Sequence, residues 1–324
     1  MTLATGIGSM PGTDFAESLR VVLDTVGDLP FVPELPDRGV HAGMIGRTLS
    51  LLDGLESDLQ PDGWRVGVGE GSDVRRARSL LAHDLDLAEE LAQGHEGPIK
   101  IQVTGPLTLA ATVERPRGDK MLADHGARRE ISESLAEGLR AHVADVRRRF
   151  GAADLVVQVD EPAIAAVLSG GVPTASGWSR HRSVHPPEAD ALLRGVVDAI
   201  VAGGARPVVH SCAPDVPVEL LAGAGFTAIS FDLGLARPDD VWAETFEQGV
   251  DLWFGVVPST DVAAASDKDL ASRVRTFLDR FGFDVEAHAQ RLVVSPTCGL
   301  AGASPHGAAH ALATAAATAQ RLEG

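Results

Sequence analysis

The chain has 324 residues, with 28 Lys and Arg against 45 Asp and Glu and a net charge of -17. That balance opposes nucleic acid and anionic membrane surfaces as partners, because phosphate demands clustered cations. No segment approaches the ~18 uninterrupted apolar residues of a membrane span, and the first residues lack the basic start and apolar run of a secretory signal, so a soluble, cytoplasmic protein is expected.

Short apolar runs alternate with longer amphipathic ones, the pattern of parallel strands joined by helices. In chain order, residues 3–9 read as a strand, 15–26 as a helix, 29–35 as a strand, 73–93 as a helix, 99–104 as a strand and 127–150 as a helix. Strands follow at 155–160, 206–212, 226–233, 251–257 and 291–296, and helices at 188–202, 239–248, 267–281 and 305–322. The strands are rich in Val and Ile without strict alternation, which fits burial on both faces. Eight such β-α units predict an α/β fold, a (β/α)₈ TIM barrel forming a single domain over residues 1–324. Segment 40–72 is longer than one helix needs, and residues 64–69 can form a small hairpin or strand over one barrel end. The basic runs at Arg75, Arg76 and Arg78 and at Arg147, Arg148 and Arg149 lie on expected helices among many acids and read as solvated faces.

In a barrel of this kind the carboxyl ends of the strands carry the chemistry. Here that rim collects Ser9, Glu34, Thr104, Asp160, Glu161, His210, Cys212, Asp232, Ser259 and Cys298. His210 and Cys212 are two residues apart, so on an extended strand both side chains leave the same face and can bind one ion together. Cys298 ends another strand. Imidazole and thiolate are ligands that zinc favours, and three protein ligands with an open position are the arrangement of a catalytic rather than a structural site. Two buried free thiols beside a core histidine are the competing reading. With two cysteines far apart in a reducing compartment, thiol or metal chemistry is favoured over a disulfide.

Five motifs then follow one another along the chain: Ile7-Gly8-Ser9-Met10-Pro11, Thr104-Gly105-Pro106-Leu107-Thr108, Gln158-Val159-Asp160-Glu161-Pro162-Ala163, His210-Ser211-Cys212 and Cys298-Gly299-Leu300. Their order and strand placement resemble the carboxyl-terminal catalytic barrel of cobalamin-independent methionine synthase, in a short form without the amino-terminal domain. The resemblance implies a barrel that binds Zn2+ and transfers a methyl group to the sulfur of homocysteine. It implies His210, Cys212 and Cys298 as metal ligands, with Asp232 as the acidic fourth where the family has Glu. It implies Asp160 as the group that holds the substrate ammonium, and Ile7, Gly8 and Ser9 as the stretch that receives its carboxylate. Asp160 and Glu161 are the expected catalytic carboxylates. The family's second carboxylate for the ammonium lies in a Glu-Arg-rich segment that residues 37–47 replace, leaving Glu34 and His41 as candidates.

Two departures concern the methyl donor. After the Thr-Gly-Pro motif the family places a tryptophan that stacks on folate, whereas this chain continues with Leu109 and no aromatic. Near the seventh strand the family has an Asp-Ile-His-Ser-Pro segment whose histidine helps to protonate the leaving group, whereas this chain reads Gly255-Val256-Val257-Pro258-Ser259-Thr260. A methyl on a tertiary amine is a poor electrophile unless that nitrogen is protonated. The donor is therefore methyltetrahydrofolate or a methylated corrinoid protein, and the departures favour the second. The alternatives are a methyltransferase of the same barrel group acting on another thiol, such as coenzyme M, and a non-catalytic protein that binds zinc or a thiol amino acid.

Overall fold

The computed structural model describes residues 1–67, 71–151, 154–260 and 266–323. Runs such as Leu155-Val-Val-Gln-Val-Asp160 form strands because β-branched side chains pack well on a pleated surface. The strands of the main sheet are β1 (Leu3–Ala4), β4 (Ile99–Thr104), β5 (Leu155–Asp160), β6 (Arg206–Ser211), β7 (Ala228–Asp232), β8 (Asp251–Val257) and β9 (Leu292–Pro296). They pair in parallel in the order β1-β9-β8-β7-β6-β5-β4.

The two outer strands are joined by the segment 30–34, which closes the ring. Lys100 donates its backbone N–H to Pro30 O at 2.8 Å and Val32 donates to Lys100 O at 2.9 Å, while Glu34 donates to Gly8 O at 3.0 Å and Met10 to Glu34 O at 2.8 Å. The strand expected at 29–35 is thus an extended segment held by single bridges, Phe31 to Lys100 and Ser9 to Glu34, rather than a regular ladder. Pro30 and Pro33 have no N–H with which to continue one. The barrel fold expected from the sequence is what the chain adopts.

Helices cover the outside. The long ones are α1 (Phe15–Thr25), α3 (Ser72–Leu91), α5 (His125–Phe150), α7 (Pro186–Ala202), α10 (Asp267–Asp279) and α12 (Pro305–Arg321), with α5 on α7 and α10 on α12. Their starts are set by side-chain caps: Asp14 accepts from Glu17 N–H, Asp124 from Ala127 N–H, Ser266 from Asp269 N–H and Ser304 from Gly307 N–H. Short helices intervene at α2 (Met44–Leu49), α4 (Pro106–Thr112), α6 (Ile164–Ser169), α8 (Val218–Gly223), α9 (Asp240–Glu247) and α11 (Val285–His288). One expectation is corrected here. Arg148 is exposed as expected, but Arg149 is largely covered and pairs with Asp86 and Glu89 of α3 at 2.6 and 2.9 Å, so this one residue of the run is an ion-paired contact between helices rather than part of a free face. Among the described residues no helix is long and apolar enough to cross a membrane.

The barrel interior is layered along the strands. Leu29, Val156, Val208, Ala228, Trp253 and Val293 form a small apolar cluster of their own, separate from the large core between sheet and helices. Two and four residues further along, the same strand faces turn polar, with Gln158 and Asp160 on β5, His210 on β6, Ser230 on β7 and Ser295 on β9. The apolar layer plugs one end, and the polar layers face the other. There a hairpin of β2 (Ser57–Gln60) and β3 (Gly63–Val66) leans over the rim. It contains the first part of the expected 64–69 element; residues 68 and 69 lie outside the described residues.

Candidate metal centre and adjoining cavity

β6 carries His210 at its penultimate position, and Cys212 follows its last residue, while β9 ends at Pro296 and delivers Cys298 through Thr297. One ring nitrogen of His210 and the sulfurs of Cys212 and Cys298 all lie within 4.8 Å of one another. The sulfurs are 2.7 Å apart and both cysteines are free. Nδ1 of His210 sits 2.9 Å from Ser230 Oγ, the residue directly across the ladder on β7. Its Nε2 is buried and has no hydrogen-bond partner. An orphaned buried nitrogen is costly, and here it belongs to the same three-residue cluster as two sulfurs. The donor set fits a thiophilic divalent cation such as zinc.

The two thiols are electrostatically unequal. The hydrogen bond from Cys212 lowers the Cys298 thiol to about 4, against the effect of burial. The same contact, reinforced by burial, pushes the Cys212 thiol far up. The contact thus favours the proton on Cys212 and negative charge on Cys298.

Asp232 does not join this cluster. Its Oδ1 accepts from Gly234 N–H at 2.7 Å, inside its own loop, and the residue lines a neighbouring groove with Ala213, Asp215, Arg237 and Trp242. The aspartate expected as a fourth ligand thus stands outside the three-donor cluster, with one oxygen held by its own loop.

A cavity of 480 Å³ opens above the three donors. It joins most of the residues singled out in the sequence: Ile7, Gly8, Ser9, Glu34, Asp160, His210, Cys212 and Cys298. Its upper wall is apolar, built by Pro36, Val40, Met44, Ile45 and Trp64. Trp64 comes from the hairpin and meets the His41 ring edge-on at 5.9 Å, while His41 Nε2 is 2.8 Å from Asp73 Oδ1. His41 is thereby turned to Asp73 of α3.

The cavity floor holds two buried carboxylates. Asp160 Oδ1 accepts from Gln158 Nε2 at 2.7 Å, and Glu34 lies 3.4 Å from Arg47 Nε. Burial and the neighbouring Glu34 charge hold the Asp160 carboxyl well above its usual range, with Lys100 pulling the other way. Burial likewise raises Glu34, opposed chiefly by Arg47. A carboxyl held up by burial and by a neighbouring carboxylate would be relieved by a cation placed beside it.

Glu161 does not reach the cavity. It is fully buried; Oε1 accepts from Leu107 N–H at 2.9 Å, and Oε2 from Thr108 N–H at 2.8 Å and Thr108 Oγ1 at 2.6 Å. Its carboxyl, pushed up to about 7 by burial, anchors the Thr-Gly-Pro turn at the start of α4. The expectation of a catalytic Glu161 gives way to that of an anchor. Neighbouring residues of an extended chain point to opposite sides, so only one member of Asp160-Glu161 can face the ring interior.

Residues 65–321 match the family described as "Cobalamin-independent synthase, Catalytic domain". Among solved structures, a B12-independent methionine synthase from Shewanella sp. W3-18-1, in complex with selenomethionine, is similar to the chain. Identity is 15%, the TM-score is 0.65, and the match covers 99% of this chain and 98% of that one. This likeness shows the fold. A mutant organophosphorus hydrolase from Deinococcus radiodurans is 14% identical with a TM-score of 0.44, over 97% of this chain and 81% of that one. A 2,3-dimethylmalate lyase is 12% identical with a TM-score of 0.38, over 91% and 76%. No curated protein sequence matches the chain.

Proposed function

The chain belongs to the cobalamin-independent synthase catalytic-domain family, and from that premise we propose that it transfers a methyl group to the thiol of homocysteine, forming methionine, with zinc as its metal. One observation carries the reading: a single cavity places thiophilic donors, His210, Cys212 and Cys298, beside two buried carboxylates, Asp160 and Glu34. Homocysteine has a thiol at one end and an ammonium at the other.

In this reading Asp160 and Glu34 receive the ammonium, while the Ile7 to Ser9 backbone and the Ser9 hydroxyl receive the carboxylate. His210, Cys212 and Cys298 hold the metal, and the fourth position is left to the substrate sulfur rather than to Asp232. A bound zinc ion would make the acceptor thiol a thiolate at neutral pH. Gln158 keeps Asp160 oriented, Ser230 keeps His210 Nε2 free for the ion, and the apolar wall with Trp64 limits water at the sulfur. The thiolate then attacks the donor's methyl carbon, forming the S–CH3 bond as the methyl–carrier bond breaks and its electron pair leaves with the carrier.

The donor we favour is a methylated corrinoid protein. Leu109 is fully buried within α4 where an aromatic platform would be needed, and among the described residues His210 is the only histidine lining the cavity. A folate amine would need protonation before it could leave; a corrinoid cobalt would not. A sulfonate thiol such as coenzyme M fits less well, because its anionic end would meet Asp160 and Glu34. We take residues 1–324 to act as one domain, and the free thiols of the centre suit the reducing cytoplasm.

A single-turnover assay on the zinc-loaded protein, with homocysteine and either methylcobalamin or methyltetrahydrofolate, tests this. Methionine should form from methylcobalamin and disappear in Cys298→Ser. Equal formation from methyltetrahydrofolate overturns the donor assignment, and none from either donor overturns the function.

A further inference from the structure

We propose that Lys100, which neither lines the cavity nor belongs to the metal cluster, is the positioning residue that holds the carboxylate-binding and ammonium-binding sides of the substrate site in register. The inference rests on the reading of the cavity as an amino-acid site and names a residue outside that cavity.

Lys100 is a fully buried cation on β4, inside the ring. Its Nζ donates to Ile7 O at 2.9 Å and to Gln158 Oε1 at 2.9 Å, with Gln102 Oε1 at 3.4 Å. Gln158 passes the constraint on in two directions. Its Nε2 donates to Ile7 O at 2.7 Å and to Asp160 Oδ1 at 2.7 Å. The Ile7 carbonyl is therefore gripped twice from below, so the Ile7-Gly8-Ser9 backbone cannot slide along the strand direction without breaking both bonds. Gln102 supports the same stretch from the side: a Cβ on Gly8 would stand 2.7 Å from its Cγ, and its Nε2 donates to Val32 O at 2.6 Å.

A lysine ammonium has three donors and no acceptor, so a buried one is retained where three acceptors must be fixed relative to one another. Here these are a backbone carbonyl of the segment offered to the substrate carboxylate and two glutamine oxygens, one of whose side chains orients the ammonium-binding aspartate. Burial carries the Lys100 amine down to about 7, against the pull of Asp160 and Glu34. Those two carboxylates are the groups that favour its charged form.

The test compares wild type with Lys100→Met and Gln158→Met. Isothermal titration calorimetry measures binding of L-methionine, which has both amino-acid ends but no free thiol, and competition with a chromophoric chelator measures zinc affinity. Both variants should bind methionine at least tenfold more weakly and keep zinc affinity within about twofold, and KM for homocysteine should rise while kcat holds. Methionine affinity equal to wild type, or a parallel loss of zinc affinity that marks general structural damage, overturns the role of Lys100. If Lys100→Met does not fold, Lys100→Gln decides by the same criteria, since it keeps a polar side chain but loses the reach to both Ile7 O and Gln158 Oε1. A wild-type protein that binds no methionine overturns the amino-acid reading itself, and the inference with it.

Discussion

Removal of the Ser230 hydroxyl probes the metal centre without touching a ligand. In Ser230→Ala the 2.9 Å contact to His210 Nδ1 is lost, and with it the hydrogen bond that orients the ring with Nε2 unpartnered. A neutral hydrogen bond contributes about 0.5–1.5 kcal/mol, and a buried donor left without a partner costs about 1–3 kcal/mol. His210 is only 3% exposed, so water does not readily replace the serine. Partners of this kind typically change metal affinity by about 10–100-fold, which corresponds to roughly 1.4–2.7 kcal/mol. Zinc affinity of Ser230→Ala, measured by chelator competition at neutral pH, should fall within that range, and Ser230→Thr, which keeps a hydroxyl, should recover most of it. An affinity for Ser230→Ala within twofold of wild type would refute the argument that this hydroxyl prepares His210 as a ligand.

Two further outcomes follow from the same geometry. In the metal-free protein Cys298, lowered to about 4, should be a thiolate throughout the range from mildly acidic to neutral pH, whereas Cys212 stays protonated. An ordinary cysteine is less than about 1% thiolate at pH ~6, so iodoacetamide at that pH should label Cys298 first, with reactivity falling only as pH drops through about 4, and zinc should protect it; mass spectrometry showing equal labelling of both contradicts this. Glu161→Ala strips two backbone N–H groups, of Leu107 and Thr108, of their acceptor. At about 1–3 kcal/mol for each stranded donor, urea denaturation should show a loss of roughly 2–6 kcal/mol, and a loss below about 1 kcal/mol would mean that Glu161 does not anchor the turn.

Much of the ring was legible because parallel strands buried on both faces read as Val- and Ile-rich runs: 99–104, 155–160 and 251–257 were placed to the residue. The segment 29–35 was recognisable as extended, yet its prolines replace the ladder by isolated bridges. Helices α2, α4, α6 and α8 span only six or seven residues, too few for an apolar period to stand out. The three donors were legible because two of them sit at the i, i+2 spacing of a strand and the third ends another strand. Ser230 and Lys100 were not, since their meaning depends on cross-strand register and on what stands above a buried amine; for Trp64 the element over the barrel end was legible, its place in the cavity wall was not. None of these is a local pattern. Glu161 differs from Asp160 by the alternation of an extended chain, which turns it to the Thr-Gly-Pro turn and away from the cavity.

The central claim is that His210, Cys212 and Cys298 hold one zinc ion that takes up the substrate sulfur, and X-ray absorption at the zinc edge, recorded before and after adding homocysteine, tests it most directly. The expected result is one zinc per chain with one nitrogen and two sulfur neighbours from the protein, and a third sulfur at about 2.3 Å once homocysteine is present. A protein that retains no zinc, or whose sulfur count stays the same when the thiol is added, contradicts it.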